Sequence, residues 1–105
     1  MRDLRRHGVL VVGHGSRREE ANSDVRKAAG LIGHRLEAPL VEAAFLEIEH
    51  PDINDGFTRL AERGAGSITV HPYVISPGRH TRGDHPVKVA EAAARHTGIT
   101  YQITE

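Results

Sequence analysis

The run Gly8-Val9-Leu10-Val11-Val12-Gly13-His14-Gly15-Ser16 decides how the rest of the chain is read. Its apolar residues are continuous instead of alternating with polar ones. That pattern suits a strand covered on both faces, as strands of a parallel sheet are. The strand leaves through a turn in which a histidine stands between two glycines. Glycines let a backbone bend sharply and approach another group closely. Here they are expected to clear space around His14, which makes its imidazole the first candidate for a functional side chain.

Working outward, Ala21, Val25, Ala28, Ala29, Ile32 and Leu36 recur at helical spacing and predict a helix over about residues 18–37. Residues 40–46 read as a second strand. Pro51 fits the first turn of a second helix, whose stripe is Ile53, Phe57, Leu60 and Ala61 and which stops at Gly64. Residues 67–70 form a third strand, ended by Pro72. Residues 74–85 read as a polar loop, with a third helix starting near Pro86 and turning Val89, Ala90, Ala93 and Ala94 inward. Ile99, Tyr101 and Ile103 alternate with polar residues, as in an edge strand. The alternation of strand and helix predicts an α/β fold: a four-stranded parallel sheet, order 2-1-3-4, with helices on both faces. In that order the first helix lies alone on its face. The half-covered face predicts a partner, most simply a second copy of the chain.

The 105 residues form one domain, with 14 basic and 14 acidic side chains. The charge balance argues against nucleic acid or an anionic membrane as partner. No apolar run is long enough for a signal peptide or a membrane span. With no cysteine, disulfides, thiolate metal sites and thiol nucleophiles are excluded, and the cytoplasm is the expected compartment.

Open parallel sheets bind ligands beyond the carboxyl ends of their strands, where strand order reverses. That point lies between the first and third strands. The first exits into His14 and Ser16. The third exits into His71 and then Arg79, His80, Arg82 and His85. The second exits into Glu47, beside them. Two imidazoles and a carboxylate suit a divalent first-row metal such as cobalt, iron, nickel or zinc, and three protein ligands leave coordination positions open. Ser16 either caps the first helix or offers its hydroxyl, with the helix amides, to an anion. Arg79 and Arg82 are either surface charges or receptors for a carboxylate-rich ligand. His7, His34, His50 and His96 read as solvated polar residues, and His71 as a packed, hydrogen-bonded one. Arg6-His7-Gly8 spells the start of a histidine-phosphatase motif, but it precedes the first strand instead of following it.

The ordered set Val12-Gly13-His14-Gly15-Ser16-Arg17, Ala44-Phe45-Leu46-Glu47, Pro51, Gly64-Ala65 and Pro77-Gly78-Arg79-His80, with Asp84 and Pro86, resembles the small form of the CbiX proteins, the class II sirohydrochlorin chelatases. The resemblance implies an enzyme that inserts Co2+ or Fe2+ into the tetrapyrrole sirohydrochlorin on the way to cobalamin or siroheme; a relative inserts nickel. The metal is then a substrate and no cofactor is permanently bound. The family's metal-binding histidines fall on His14 and His80, and its acidic residue on Glu47, as third ligand or proton acceptor. Ser16, Arg79 and Arg82 would engage the macrocycle's carboxylates. The small form is a homodimer. His85 stands where the family usually has an aliphatic residue, and the chain is expected to end before the family's C-terminal helix. The other readings are a non-catalytic metal- or tetrapyrrole-binding module and a metallohydrolase, and for the second there is no well-placed extra base or dedicated phosphate loop.

Overall fold

A computed structural model describes residues 6–36, 40–73 and 81–104, with backbone alone for residues 81–85. The elements run β1 (Arg6–Gly13), α1 (Glu19–Leu36), β2 (Val41–Phe45), α2 (Ile53–Glu62), β3 (Ala65–Pro72), α3 (Thr81–Ala94) and β4 (Thr100–Ile103). All strand pairings are parallel and the order is β2-β1-β3-β4, as the pattern predicts.

The apolar run of β1 is continuous because the strand is central. Val9 and Val11 point to one face with Val25, Ala29 and Phe45, whereas Leu10 and Val12 point to the other with Phe57, Leu60, Ile68, Val70 and Val89. The first group lies under α1 and the second under α2 and α3. Phe57 is fully buried. Its ring stacks on His96 at 23° and meets Tyr101 edge-on at 78°, with both centroid distances 6.3 Å. His96 is therefore half-buried, and its Nε2 shares a 3.1 Å hydrogen bond with Thr58. The expectation of a merely solvated ring fails there, because the helix end folds back over Phe57.

Several local expectations shift. α3 begins at Thr81 and carries Pro86 inside it, instead of starting at that proline. The helix forgoes the one backbone bond that a proline cannot donate. Its inward residues are Val89 and Ala92, with Ala93 partly packed, whereas Ala90 and Ala94 are exposed. The stripe is set by how the helix packs against α2, which spacing alone does not reveal. Pro51 precedes α2, and Asp52 caps it by accepting the Asp55 N–H at 2.7 Å. Leu36, read as part of the α1 stripe, is 62% exposed at the helix end.

α1 packs on β1 and β2, so among the described residues no helix covers the same face of β3 and β4. That half-face is polar. His7 bonds Ser67 at 2.6 Å and Thr69 at 2.8 Å, the Gln102 amide donates to Thr69 at 3.1 Å, and His71 bonds Thr104 at 2.7 Å. The side chains satisfy one another in a ladder that water can cover, so the half-covered face presents a hydrogen-bonded surface. His71 is thus packed as the sequence indicates. His7 is exposed but tied to β3, at the end of β1 remote from His14.

Truncating Phe57→Ala should lower the unfolding free energy by about 3–5 kcal/mol, from lost burial and the cavity left behind. Asp52→Ala should cost about 1 kcal/mol, from one helix cap. Urea unfolding followed by circular dichroism will separate the two; equal effects would contradict this ranking.

Candidate functional site

The β1–β2 ladder does not stop where the strands do. Leu46 N–H donates to Gly13 O at 3.0 Å, and Glu47 N–H donates to His14 O at 3.1 Å. The exit turn of β1 is thereby pressed onto the exit of β2. Gly15 has φ +99, and a Cβ there would lie 1.7 Å from the Glu47 carbonyl oxygen. A Cβ on Gly13 would lie 2.6 Å from Val25 Cγ2. These glycines do not clear room around the imidazole, as the sequence suggested. They let the backbone on each side of His14 come into contact with β2 and α1.

The contact brings together two of the expected residues. His14 Nε2 lies 3.3 Å from Glu47 Oε1, with the side chains 48% and 59% exposed. Two ligand atoms each about 2.0–2.1 Å from one ion, at tetrahedral to octahedral angles, stand roughly 2.8–3.4 Å apart. The pair already has the spacing needed to share a metal ion, and both side chains are about half open to solvent. Among the described residues no group of three or more His, Cys, Asp or Glu side chains gathers. His80 and Arg79 lie outside the described residues. Arg82 enters by its backbone alone, in the first turn of α3.

A residue that the sequence reading did not single out secures both loops. Asn22 is buried at 4% exposure, in the stripe of α1 with Val25 and Ala29. Its Oδ1 accepts the Ser16 N–H at 2.9 Å, and its Nδ2 donates to Ser16 O at 2.8 Å and to Glu49 Oε2 at 3.4 Å. One amide thus satisfies the turn after His14 and reaches the loop after Glu47. An asparagine at an apolar-stripe position was the available signal. Ser16 itself accepts the Arg18 N–H at 3.0 Å, a turn bond at the entry to α1. This local role is nearer to the capping reading than to an anion site.

Arg26, one turn further along α1, completes the tie. It bonds Glu19 and Glu49 at 2.8 Å each, and its guanidinium lies 5.2 Å from the Phe45 ring centroid. The Arg26 hydrogen bond, then the His50 backbone N–H, holds the Glu49 carboxyl below its ordinary range near 4.5. A depressed folded-state value means that this tie favours folding above the ordinary glutamate range and is lost as the pH falls through the lowered value. Between Glu47 and Glu49, Ile48 takes φ +71 with its side chain 57% exposed. Left-handed backbone costs an L-residue about 1–2 kcal/mol, and β-branched residues rarely adopt it.

Known proteins share this arrangement of sequence and fold. The chain is 37% identical over 97 residues to the chloroplastic sirohydrochlorin ferrochelatase of Arabidopsis thaliana, a match that covers 92% of this chain and 43% of that protein. It is 36% identical over 86 residues to the sirohydrochlorin cobaltochelatase of Sulfolobus acidocaldarius, covering 82% of this chain and 68% of that one. Its fold is similar to the crystal structure of the sirohydrochlorin chelatase SirB from Bacillus subtilis subspecies spizizenii in complex with cobalt. The TM-score is 0.79 at 33% identity, over 91% of this chain and 42% of that chain. The chain therefore spans less than half the length of the Arabidopsis and Bacillus proteins. The CbiX family model matches residues 8–105, from within β1 to the last residue, and the chain belongs to the CbiX family.

Proposed function

We propose that this protein inserts a divalent metal, Co2+ or Fe2+, into sirohydrochlorin. The observation that carries the proposal is the 3.3 Å approach of His14 Nε2 to Glu47 Oε1 at the carboxyl edge of the sheet. The ferro- and cobaltochelatase names of the relatives support the same chemistry, and the metal-bound SirB structure supports metal contact by this fold.

The reaction exchanges one metal ion for two pyrrole protons. His14 and Glu47 receive the ion, with His80 as the further ligand that the family resemblance supplies. An imidazole ligates only when neutral, and the same lone pair accepts a proton once the metal has moved into the ring. Few ligands, with His14 and Glu47 both exposed, hold an ion loosely enough to release it, unlike the closed cage of a structural site. Glu47 takes up the second proton or passes it to water. The family resemblance adds Arg79, Arg82 and Ser16 as the residues to engage the macrocycle's carboxylates. Which ion is physiological, and whether the product serves cobalamin or siroheme, depends on metal supply and downstream enzymes, because histidine and carboxylate accept most of the series.

The working unit we assign is a homodimer. The small form of the family that the sequence resembles is a homodimer. The polar ladder on β3 and β4 makes hydrogen bonds the natural means of joining if that face is used. The cytoplasm is our assignment of compartment, although the Arabidopsis relative is chloroplastic. Among the described residues, no helix is long and apolar enough to cross a membrane.

Purified protein mixed with sirohydrochlorin and Co2+ or Fe2+ should change the tetrapyrrole absorption faster than a protein-free control. His14→Ala should lower that catalysed rate by at least about 100-fold, the scale on which a positioned acid–base group acts, with an unchanged circular dichroism spectrum. Gly15→Ala should weaken Co2+ binding about tenfold or more, because its Cβ cannot coexist with the Glu47 carbonyl. Metal binding at full strength without any accelerated insertion would favour a carrier module instead. Sedimentation should give twice the mass of one chain.

A further inference from the structure

Ile48 bears two unfavourable features at once. Its backbone is left-handed, a conformation in which the other such positions among the described residues are all glycines: Gly15, Gly64 and Gly98. Its side chain is 57% exposed. A glycine or asparagine would meet that φ with less strain and present nothing apolar to water. The remaining large exposed apolar residues are Leu31 and Leu36 on α1, Val87 on α3 and Tyr101 on β4. Among the described residues, Ile48 alone of this set lies in the loop that carries Glu47, next to it in the chain. Strained residues that persist are held by their surroundings and cluster at ligand sites. The surroundings are on hand: Glu49 on the next residue is anchored by Arg26 and Asn22.

We propose that Ile48 is a substrate-binding residue that covers part of the flat face of the tetrapyrrole while His14 and Glu47 handle the metal. The inference rests on the chelatase reading and extends it to substrate recognition. Imidazole and carboxylate answer to the ion, and basic residues to the carboxylates at the rim of the macrocycle. The conjugated face between them needs an apolar wall that excludes water, as most ligand sites provide. A branched aliphatic side chain on the residue that follows Glu47 supplies one. A site for metal alone has no use for it.

The test compares Ile48→Asn, Ile48→Gly and Ile48→Val with the unaltered protein. Three quantities are read: sirohydrochlorin affinity without metal by fluorescence, Co2+ affinity without tetrapyrrole by calorimetry, and KM and kcat for insertion. Asparagine and glycine should weaken sirohydrochlorin binding and raise its KM by about five- to thirty-fold, the effect of exposing one aliphatic contact. Co2+ affinity and kcat should stay within about twofold, and valine should restore tetrapyrrole affinity to within about threefold. The melting temperature should not fall in the asparagine and glycine variants, because the left-handed strain is relieved. Unchanged tetrapyrrole affinity in both, in a protein that does insert metal, would overturn the role of Ile48 alone. So would a parallel loss of Co2+ affinity, which would mark a collapsed loop. If the unaltered protein neither binds sirohydrochlorin nor accelerates insertion, the chelatase reading falls, and this inference with it.

Discussion

The backbone of the turn after β1 lies in contact with the backbone after β2, and the candidate site depends on that contact. Two hydrogen bonds carry the parallel ladder past the strand ends, to Gly13 O and His14 O. Gly15 removes the side chain that would collide with the Glu47 carbonyl. In a parallel sheet, neighbouring strands end at the same edge, but their exit loops ordinarily diverge toward their helices. Here they are held together for two further residues, and that is what sets His14 Nε2 beside Glu47 Oε1. The spacing of the two ligand atoms is thus a property of main-chain register more than of side-chain choice.

The same edge is reinforced from α1. The helix carries a buried amide and a guanidinium one turn apart, on Asn22 and Arg26. Both reach Glu49, and Asn22 also closes the Ser16 turn. A buried polar group without partners is costly, whereas one that is satisfied holds its partners in a single arrangement. α1 therefore does more than cover one face of the sheet. It links the loop bearing His14 to the loop bearing Glu47, while the pair itself stays open to solvent. An exposed pair on a braced support is suited to accept an ion and give it up, where burial would favour retention.

The two faces of the sheet resolve the covering problem differently. Under α2 and α3 the core is continuous and aromatic at its centre. Under α1 it stops at β1, and beyond it β3 and β4 turn serine, threonine, glutamine and histidine outward. A half-covered sheet face need not be sticky, because cross-strand polar pairs can satisfy each other. A half-covered face of this kind does not by itself require a partner. The case for a dimer rests on family resemblance.

Sequence periodicity determined the alternation of strand and helix and put His14 and Glu47 at strand exits, whereas the strand order was an expectation for parallel folds and the joint role of the two residues came from the family resemblance. Continuous apolar runs, 3.6-residue stripes and glycine punctuation are local signals, and parallel topology leaves few ways to assemble them. The N-terminal part of α3 was hidden because Pro86 is a strong local signal for a helix start, and the helix tolerates it. The inward face of α3 was read only in part, because it depends on how the helix packs against α2. Only the tertiary structure decided what Gly13 and Gly15 are for, that Asn22 joins two loops, that Ile48 is held strained and exposed, and that the open half-face is polar. Each of these is a contact or conformation imposed by segments distant in the chain, and no local pattern encodes the distance between them.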